Sequence, residues 1–359
     1  MPTEKNENAA DANSPSAGWF CGYTPIEILD AAGMTPVRIT GERASSGVAD
    51  SLMHTNICPY VKACLESAAG GKLNFLKGAV FTNGCDAQRR LYDIWLSVVP
   101  SVPAFLLTVP RRADDASARA FAARLAEFKA WAEETFATQI TDDKLRESIR
   151  AYAKLREALA GMDDARESGE IDMPGSRAME IYLAAQKMSP AAALEMVEEE
   201  IASAKVRAAA AGGAPKGPRL LLAGNMTDDP ELARMFESYG ATVVSDALCA
   251  GSRFSSTAPP DPDIPPLEAL ARAYLRKSPC PRMVDADDYA SRLVRKIEAT
   301  KPDGVVFHIL KFCDAHLYDM PFIRDALRSA GVRTLIIEGD YTSGSGQLAT
   351  RAQAFLETI

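Results

Sequence analysis

Short, mostly apolar runs recur along this chain, separated by longer stretches in which apolar positions return every third or fourth residue. Residues 78–82, 104–109, 219–223, 242–245, 304–309 and 334–337 are of the first kind, and 36–40 is a shorter β-like run. Runs of this length without polar alternation fit strands buried on both faces of a sheet. The second kind covers 60–69, closed by Gly70-Gly71, then 87 to about 98, 230–238, 267–276, 287–299, 321–330 and a last helix from about Leu348. Thr24 is placed to cap a short first helix over 25–32, with Pro25 at its first position and Gly33 as its stop. Buried strands alternating with helices predict parallel sheets.

Between Asp114 and Ala211 the pattern changes. Ala, Glu, Lys, Arg and Leu dominate with helical periodicity and no strand interrupts them, which predicts several helices broken near Thr141, Pro174 and Pro190. Residues 212–218 carry Gly, Pro and Lys and read as a linker, and 255–266 is a Pro- and Asp-rich loop. The expected organisation is a disordered leader over 1–17, an α/β domain over 18–113, a helical segment over 114–211 packed on the domains, the linker, and a second α/β domain over 219–359. The fold class is therefore α/β, with two Rossmann-like (flavodoxin-like) parallel-sheet domains. Their similar layouts hint at duplication, although no internal sequence repeat accompanies it.

With 359 residues, 47% hydrophobic and 25% charged, the chain can bury two ordinary cores. The formal charge of −8 excludes a general nucleic-acid binder. Lys and Arg are scattered, yet Arg89-Arg90 and Arg111-Arg112 could meet an anionic cofactor. No apolar run is long enough to cross a bilayer. The polar N-terminus lacks the basic start and apolar stretch of a signal peptide, so a cytoplasmic location is expected.

Seven cysteines in a reducing compartment must be buried thiols, reactive thiols or metal ligands. Cys58 precedes the helix over 60–69, Cys85 joins a strand end to the next helix, and Cys313 follows the strand over 304–309. Ligands gather at such places in open α/β sheets, and the helix dipole favours thiolate there. No CxxC run of the ferredoxin kind is present, so position alone leaves ordinary burial and metal ligation both open. His308, Cys313, Asp314 and His316 match no familiar zinc spacing.

Gly18-Trp-Phe-Cys-Gly-Tyr-Thr-Pro-Ile-Glu-Ile-Leu-Asp-Ala-Ala-Gly33 with Pro36-Val-Arg38 resembles the opening motif of the 2-hydroxyacyl-CoA dehydratase D component. Asn83-Gly-Cys-Asp-Ala-Gln-Arg-Arg-Leu-Tyr-Asp-Ile-Trp95 is similar to that family's second cysteine segment. Cys249-Ala-Gly-Ser-Arg-Phe254, Phe307-His-Ile-Leu-Lys-Phe-Cys-Asp314, and Ile337-Glu-Gly-Asp-Tyr341 leading to Thr350-Arg351 match further blocks, in order. The family includes benzoyl-CoA reductase subunits.

This resemblance implies a 4Fe-4S cluster on Cys58, Cys85 and Cys313, with one iron lacking a cysteine. It implies a related second subunit, an ATP-dependent iron–sulfur activator that delivers one electron, and an acyl-CoA substrate. The implied reaction is elimination of water from a 2-hydroxyacyl-CoA through a ketyl radical, giving a 2-enoyl-CoA. A benzoyl-CoA reductase subunit and a non-catalytic electron-relay or scaffold subunit are the alternatives. Relatives with a double-cubane cluster need more cysteines than the segment 72–75 offers. Arg253 and Ser252 are candidate substrate contacts. His308, Glu27 and Glu338 are candidate acid or base groups. Cys21 and Cys249 read as packed thiols near the site, and Cys64 and Cys280 as structural.

Overall fold

The structure, a computed structural model, describes residues 14–41, 47–211, 217–284, 286–341 and 346–359. The first unit runs β1 (Ser16–Trp19), α1 (Glu27–Ala31), β2 (Thr35–Arg38), α2 (Val48–Leu52), α3 (Pro59–Ala69), β3 (Leu76–Thr82), α4 (Asp86–Val98) and β4 (Ala104–Leu107). The helices α5 (Asp115–Thr135), α6 (Asp142–Ser168), α7 (Gly175–Ala185) and α8 (Pro190–Ala211) follow. The second unit opens with β5 (Arg219–Gly224), α9 (Pro230–Ser238), β6 (Thr242–Ala247), α10 (Pro266–Arg276) and α11 (Ala286–Thr300). It closes with β7 (Gly304–Leu310), α12 (Asp314–Ser329), β8 (Arg333–Gly339) and α13 (Gly346–Leu356).

Each unit holds a parallel four-stranded sheet, ordered β2-β1-β3-β4 in the first and β6-β5-β7-β8 in the second. The second order repeats the first, and both are the flavodoxin-like doubly wound arrangement. The central strands are buried throughout or nearly so, as their Val, Ile, Leu and Phe content requires. Gly224, at the end of β5, has φ +145° and a Cβ there would stand 1.9 Å from the His308 carbonyl oxygen of β7, so the sheet closes only on glycine.

The units share a core. Met226, Ala250, Leu310 and Tyr341 of the second unit join Phe20, Tyr60 and Val61 of the first in one apolar cluster. Phe20, Phe81 and Trp95 form its aromatic centre, with ring centroids 4.3 Å apart for Phe20–Phe81 and 5.2 Å for Phe81–Trp95. The helical segment is fastened by charge. Glu27 Oε1 accepts from Arg156 Nη1 at 2.7 Å and Oε2 from the Tyr274 hydroxyl at 2.8 Å, joining α1, α6 and α10. All three residues are buried, so breaking this set costs on the order of 3–5 kcal/mol.

Several elements differ from the sequence reading. β1 begins at Ser16, inside the segment read as a leader: Ser-Ala-Gly-Trp lacks β-branched residues, yet it pairs with β2 and β3. α12 begins at Asp314, so Pro321 lies within the helix instead of starting it. α2 was not anticipated. Residues 1–13 of the expected leader and 212–216 of the expected linker lie outside the described residues.

Candidate metal centre

Cys58, Cys85 and Cys313 occupy the same structural position three times: each is the N-cap residue of a helix, of α3, α4 and α12 respectively. None of the three side chains caps its own helix, which leaves each sulfur available beside the positive helix end. Pro59 at the first helical position fixes the backbone after Cys58. The loop before Cys85 is pinned by Asn83, whose Oδ1 accepts from Val109 N at 2.9 Å, and by Gly84 N donating to Thr82 Oγ1 at 3.3 Å. Ahead of Cys313, Phe312 takes a left-handed φ of 58°, an unusual conformation for a bulky residue and one that turns the chain from β7 into α12.

The thiols influence one another. Burial pushes Cys58 up to about 12, and the charges of Cys313 and Cys85 add to it. Cys85 is likewise pushed up to about 12 by burial, a backbone N–H at Gln88 opposing, with Cys313, Cys21 and Cys280 adding. Cys85 is the solvent-facing member, so water screens part of its effect. Burial also raises Cys313, against hydrogen bonds from the Asn225 side chain and the His316 backbone. The three thiols are thus near enough to influence one another, and their main neighbours include no cation. A metal would supply the missing positive charge and take the place of the thiol protons. Among the described residues no three His, Cys, Asp or Glu side chains stand in the geometry of a single ion. The fit to a cluster therefore rests on the donor chemistry: soft sulfur ligands, at three helix ends, close enough to sense each other.

A second layer lies behind them. Arg38 Nη2 donates to Cys249 Sγ at 3.0 Å and Nη1 to the Cys249 carbonyl at 2.8 Å and Gln186 Oε1 at 2.6 Å. Burial would raise Cys249, but Arg38, Arg253 and Lys277 outweigh it and hold the thiol near 7. Lys277, buried and donating to Gly22 O at 3.0 Å, is itself lowered to about 7 by burial and then by Arg156. Burial raises Cys21, which also feels Cys249. Cys64 lies in the apolar core.

The other candidates are scattered. Arg253 is buried at the junction and donates to Gly224 O at 3.3 Å. Ser252 closes a turn, its N–H on Asp246 Oδ1 at 2.9 Å and its Oγ donating to Asp246 O at 2.6 Å. His308 Nδ1 and Thr227 Oγ1 share a hydrogen bond of 2.8 Å. Glu27 has both oxygens occupied by Arg156 and Tyr274, and Glu338 is exposed on β8. The sequence reading gave no role at the site to Asn225, Arg38, Lys277 or Cys280. Asn225, one residue beyond β5, and Arg38, at the end of β2, carry a detectable signal: polar residues at strand carboxyl ends. Lys277 and Cys280 carry none, since their neighbours are distant in sequence.

Two flavodoxin-like units with cysteine-headed helices facing across their junction define the class of protein. The chain belongs to the family described as 2-hydroxyglutaryl-CoA dehydratase, D-component, whose model matches residues 21–359. It is 25% identical over 343 residues to the (R)-phenyllactyl-CoA dehydratase beta subunit of Clostridium sporogenes, covering 94% of this chain and 90% of that one. It is 26% identical to one of the subunits of the benzoyl-CoA reductase of Thauera aromatica, over 94% and 88% of the two chains. Identity to the lactoyl-CoA dehydratase beta subunit of Anaerotignum propionicum is 26%, over 98% and 93%.

Proposed function

We propose that this chain is the β-type iron–sulfur subunit of a 2-hydroxyacyl-CoA dehydratase, with a 4Fe-4S cluster held by Cys58, Cys85 and Cys313. The observation that carries the proposal is that three thiols at helix N-termini, drawn from both units, lie close enough to influence one another. Relatives named as dehydratase beta subunits, matched over nearly their whole length, support the same reading.

A cluster held by these three thiolates would supply one-electron chemistry at low potential, with an ATP-dependent activator as the expected electron source. The chain's own residues prepare the place. The N-termini of α3, α4 and α12 favour thiolate over thiol. The Asn225 amide fixes the Cys313 sulfur, and the shared apolar core beneath keeps water from that side. His308, held down to about 4 by burial, stays neutral at physiological pH and offers an uncharged polar ring on β7, the strand that leads to Cys313.

A related second subunit is part of the proposal, because relatives are named as beta subunits and because α12 leaves Tyr318 and Phe322 80% and 60% exposed beside Cys313. The benzoyl-CoA reductase reading is favoured by one observation: the Thauera protein is as similar as the dehydratases.

The test is iron and acid-labile sulfide content, with EPR after reduction, on protein purified without oxygen. About four irons per chain are expected for a single cubane. Cys58→Ser, Cys85→Ser and Cys313→Ser should each lose the signal, while Cys64→Ala keeps it. Iron-free wild type, or serine variants that retain the cluster, would remove the proposal.

A further inference from the structure

Two cavities flank the junction on the side of α10 and α11. The outer one, of about 400 Å³, is walled by Arg111, Arg112, Arg276, Lys277 and Arg292, against two carboxylates, Asp114 and Asp288. Even with Lys277 neutral, four guanidiniums line the cleft with two acids; Arg292 pairs with Asp288 at 2.9 Å and Arg276 with the adjacent Asp115 at 3.6 Å, which leaves Arg111 and Arg112 against Asp114. The inner cavity, of about 160 Å³, contains Arg253, Tyr289, Ser252, Ser278 and Lys296, and Arg292 walls it too. The single segment Lys277–Pro279 gives residues to both, so one molecule could reach from one to the other.

The inner cavity has polar groups short of acceptors. Arg253 is 6% exposed, and its close neighbours are the thiols Cys280 and Cys249 and the phenols Tyr289 and Tyr23, with no carboxylate among them. Tyr289, 4% exposed, has a hydroxyl proton with no acceptor. His316, 2% exposed and packed edge-on against Tyr289, has neither ring nitrogen hydrogen-bonded. Buried polar groups are satisfied in the great majority of cases, so donors left open around a cavity point to an acceptor that enters it. The Arg253–Tyr289 pair calls for an oxygen acceptor, and the outer cleft calls for several negative charges.

We propose that the outer cleft holds the phosphates of a coenzyme A thioester in this subunit, with the thioester end extending past Arg292 to donors at Arg253 and Tyr289. This rests on the acyl-CoA reading of the function, since the cleft itself asks only for a phosphorylated ligand. The outer volume suits a nucleotide-sized group, and planar guanidiniums are the usual partners of phosphate. His316 follows Cys313 by one helical turn, its N–H on the Cys313 carbonyl at 3.1 Å, and its ring packs on Tyr289, which links the wall of the inner cavity to the helix that starts at Cys313.

Calorimetric titration of the anaerobically isolated protein with acetyl-CoA, CoA and 3′-dephospho-CoA tests this. Arg112 and Arg276 are exposed, so Arg112→Ala and Arg276→Ala should fold normally, which circular dichroism checks. Each should weaken acetyl-CoA binding about ten-fold, and rising salt should weaken the wild type. Arg253→Lys should weaken acetyl-CoA more than CoA, because the inner donors meet the acyl end. Binding unaffected by both outer variants, or no binding by the wild type up to millimolar acetyl-CoA, would overturn the proposal. Cys58→Ser separates the two claims. Loss of iron with acetyl-CoA affinity retained supports this site, and an iron-free wild type that still binds through the arginines would remove the cluster reading alone.

Discussion

Burial more than charge sets Cys58, Cys85 and His308 at the junction, whereas cations set Cys249. His308 is the clearest case, with its pKa near 4 caused first by desolvation. An unfolded histidine titrates near 6.5, so on acidification the unfolded chain takes up this proton first. The stabilisation from a neutral His308 is therefore present at pH 7, is lost as pH falls through about 6.5, and is gone below the folded value. A difference of that size corresponds to about 3 kcal/mol. His308→Asn should remove the titration, so that urea unfolding of iron-free variant protein loses less stability between pH 7 and pH 4 than wild type does. Equal losses would mean that the ring is solvated in the folded chain. Glu27 makes the opposite point. Its sequence setting suggested an acid or base, yet its partner Arg156 lies 129 positions away, and no local pattern announces it.

At the scale of elements, legibility followed composition. The run over 304–309 was readable because Val, Phe and Ile fill it, and the observed strand is Gly304–Leu310. Ser-Ala-Gly-Trp was not, because its strand conformation is imposed by neighbours on both sides. Pro321 misled the reading of α12, since proline favours a first turn but here stands in the interior. The cysteines' approximate places at strand ends and helix starts were legible. That the three thiols come near enough to influence one another was not, because this depends on how two sheets dock. Gly224 shows how tightly an element can depend on one residue. Gly224→Ala would drive a methyl into the His308 carbonyl, with no flexible side chain to yield. The expected cost is more than about 3 kcal/mol, from strained φ and overpacking together. Thermal unfolding of the variant checks it, and an unchanged midpoint would mean that β5 and β7 are farther apart than described.

For the whole molecule, the question is what covers the face beside Cys313. Phe312, Leu317, Tyr318 and Phe322 are exposed to between 37% and 80%, and three of them lie on α12 itself. The core does not need them: α12 already buries His316, Met320, Ile323 and Leu327 on its inner side. Large aromatic side chains gathered in solvent at one helix mark an interaction surface, and Tyr and Phe are the residue types enriched where proteins meet. The proposed second subunit is the natural occupant, because a cluster site that opens near Cys85 needs shielding from water on that side. Tyr318→Glu combined with Phe322→Glu should leave the isolated chain within about 0.5 kcal/mol of wild type, since both positions are exposed. Co-elution with the co-expressed second subunit on size exclusion should be lost, because two charges would then have to be desolvated at an interface that holds nothing to pair them. If the pair still co-elutes while electron transfer from the activator fails, this face belongs to the activator instead, and the second subunit docks on another part of the chain.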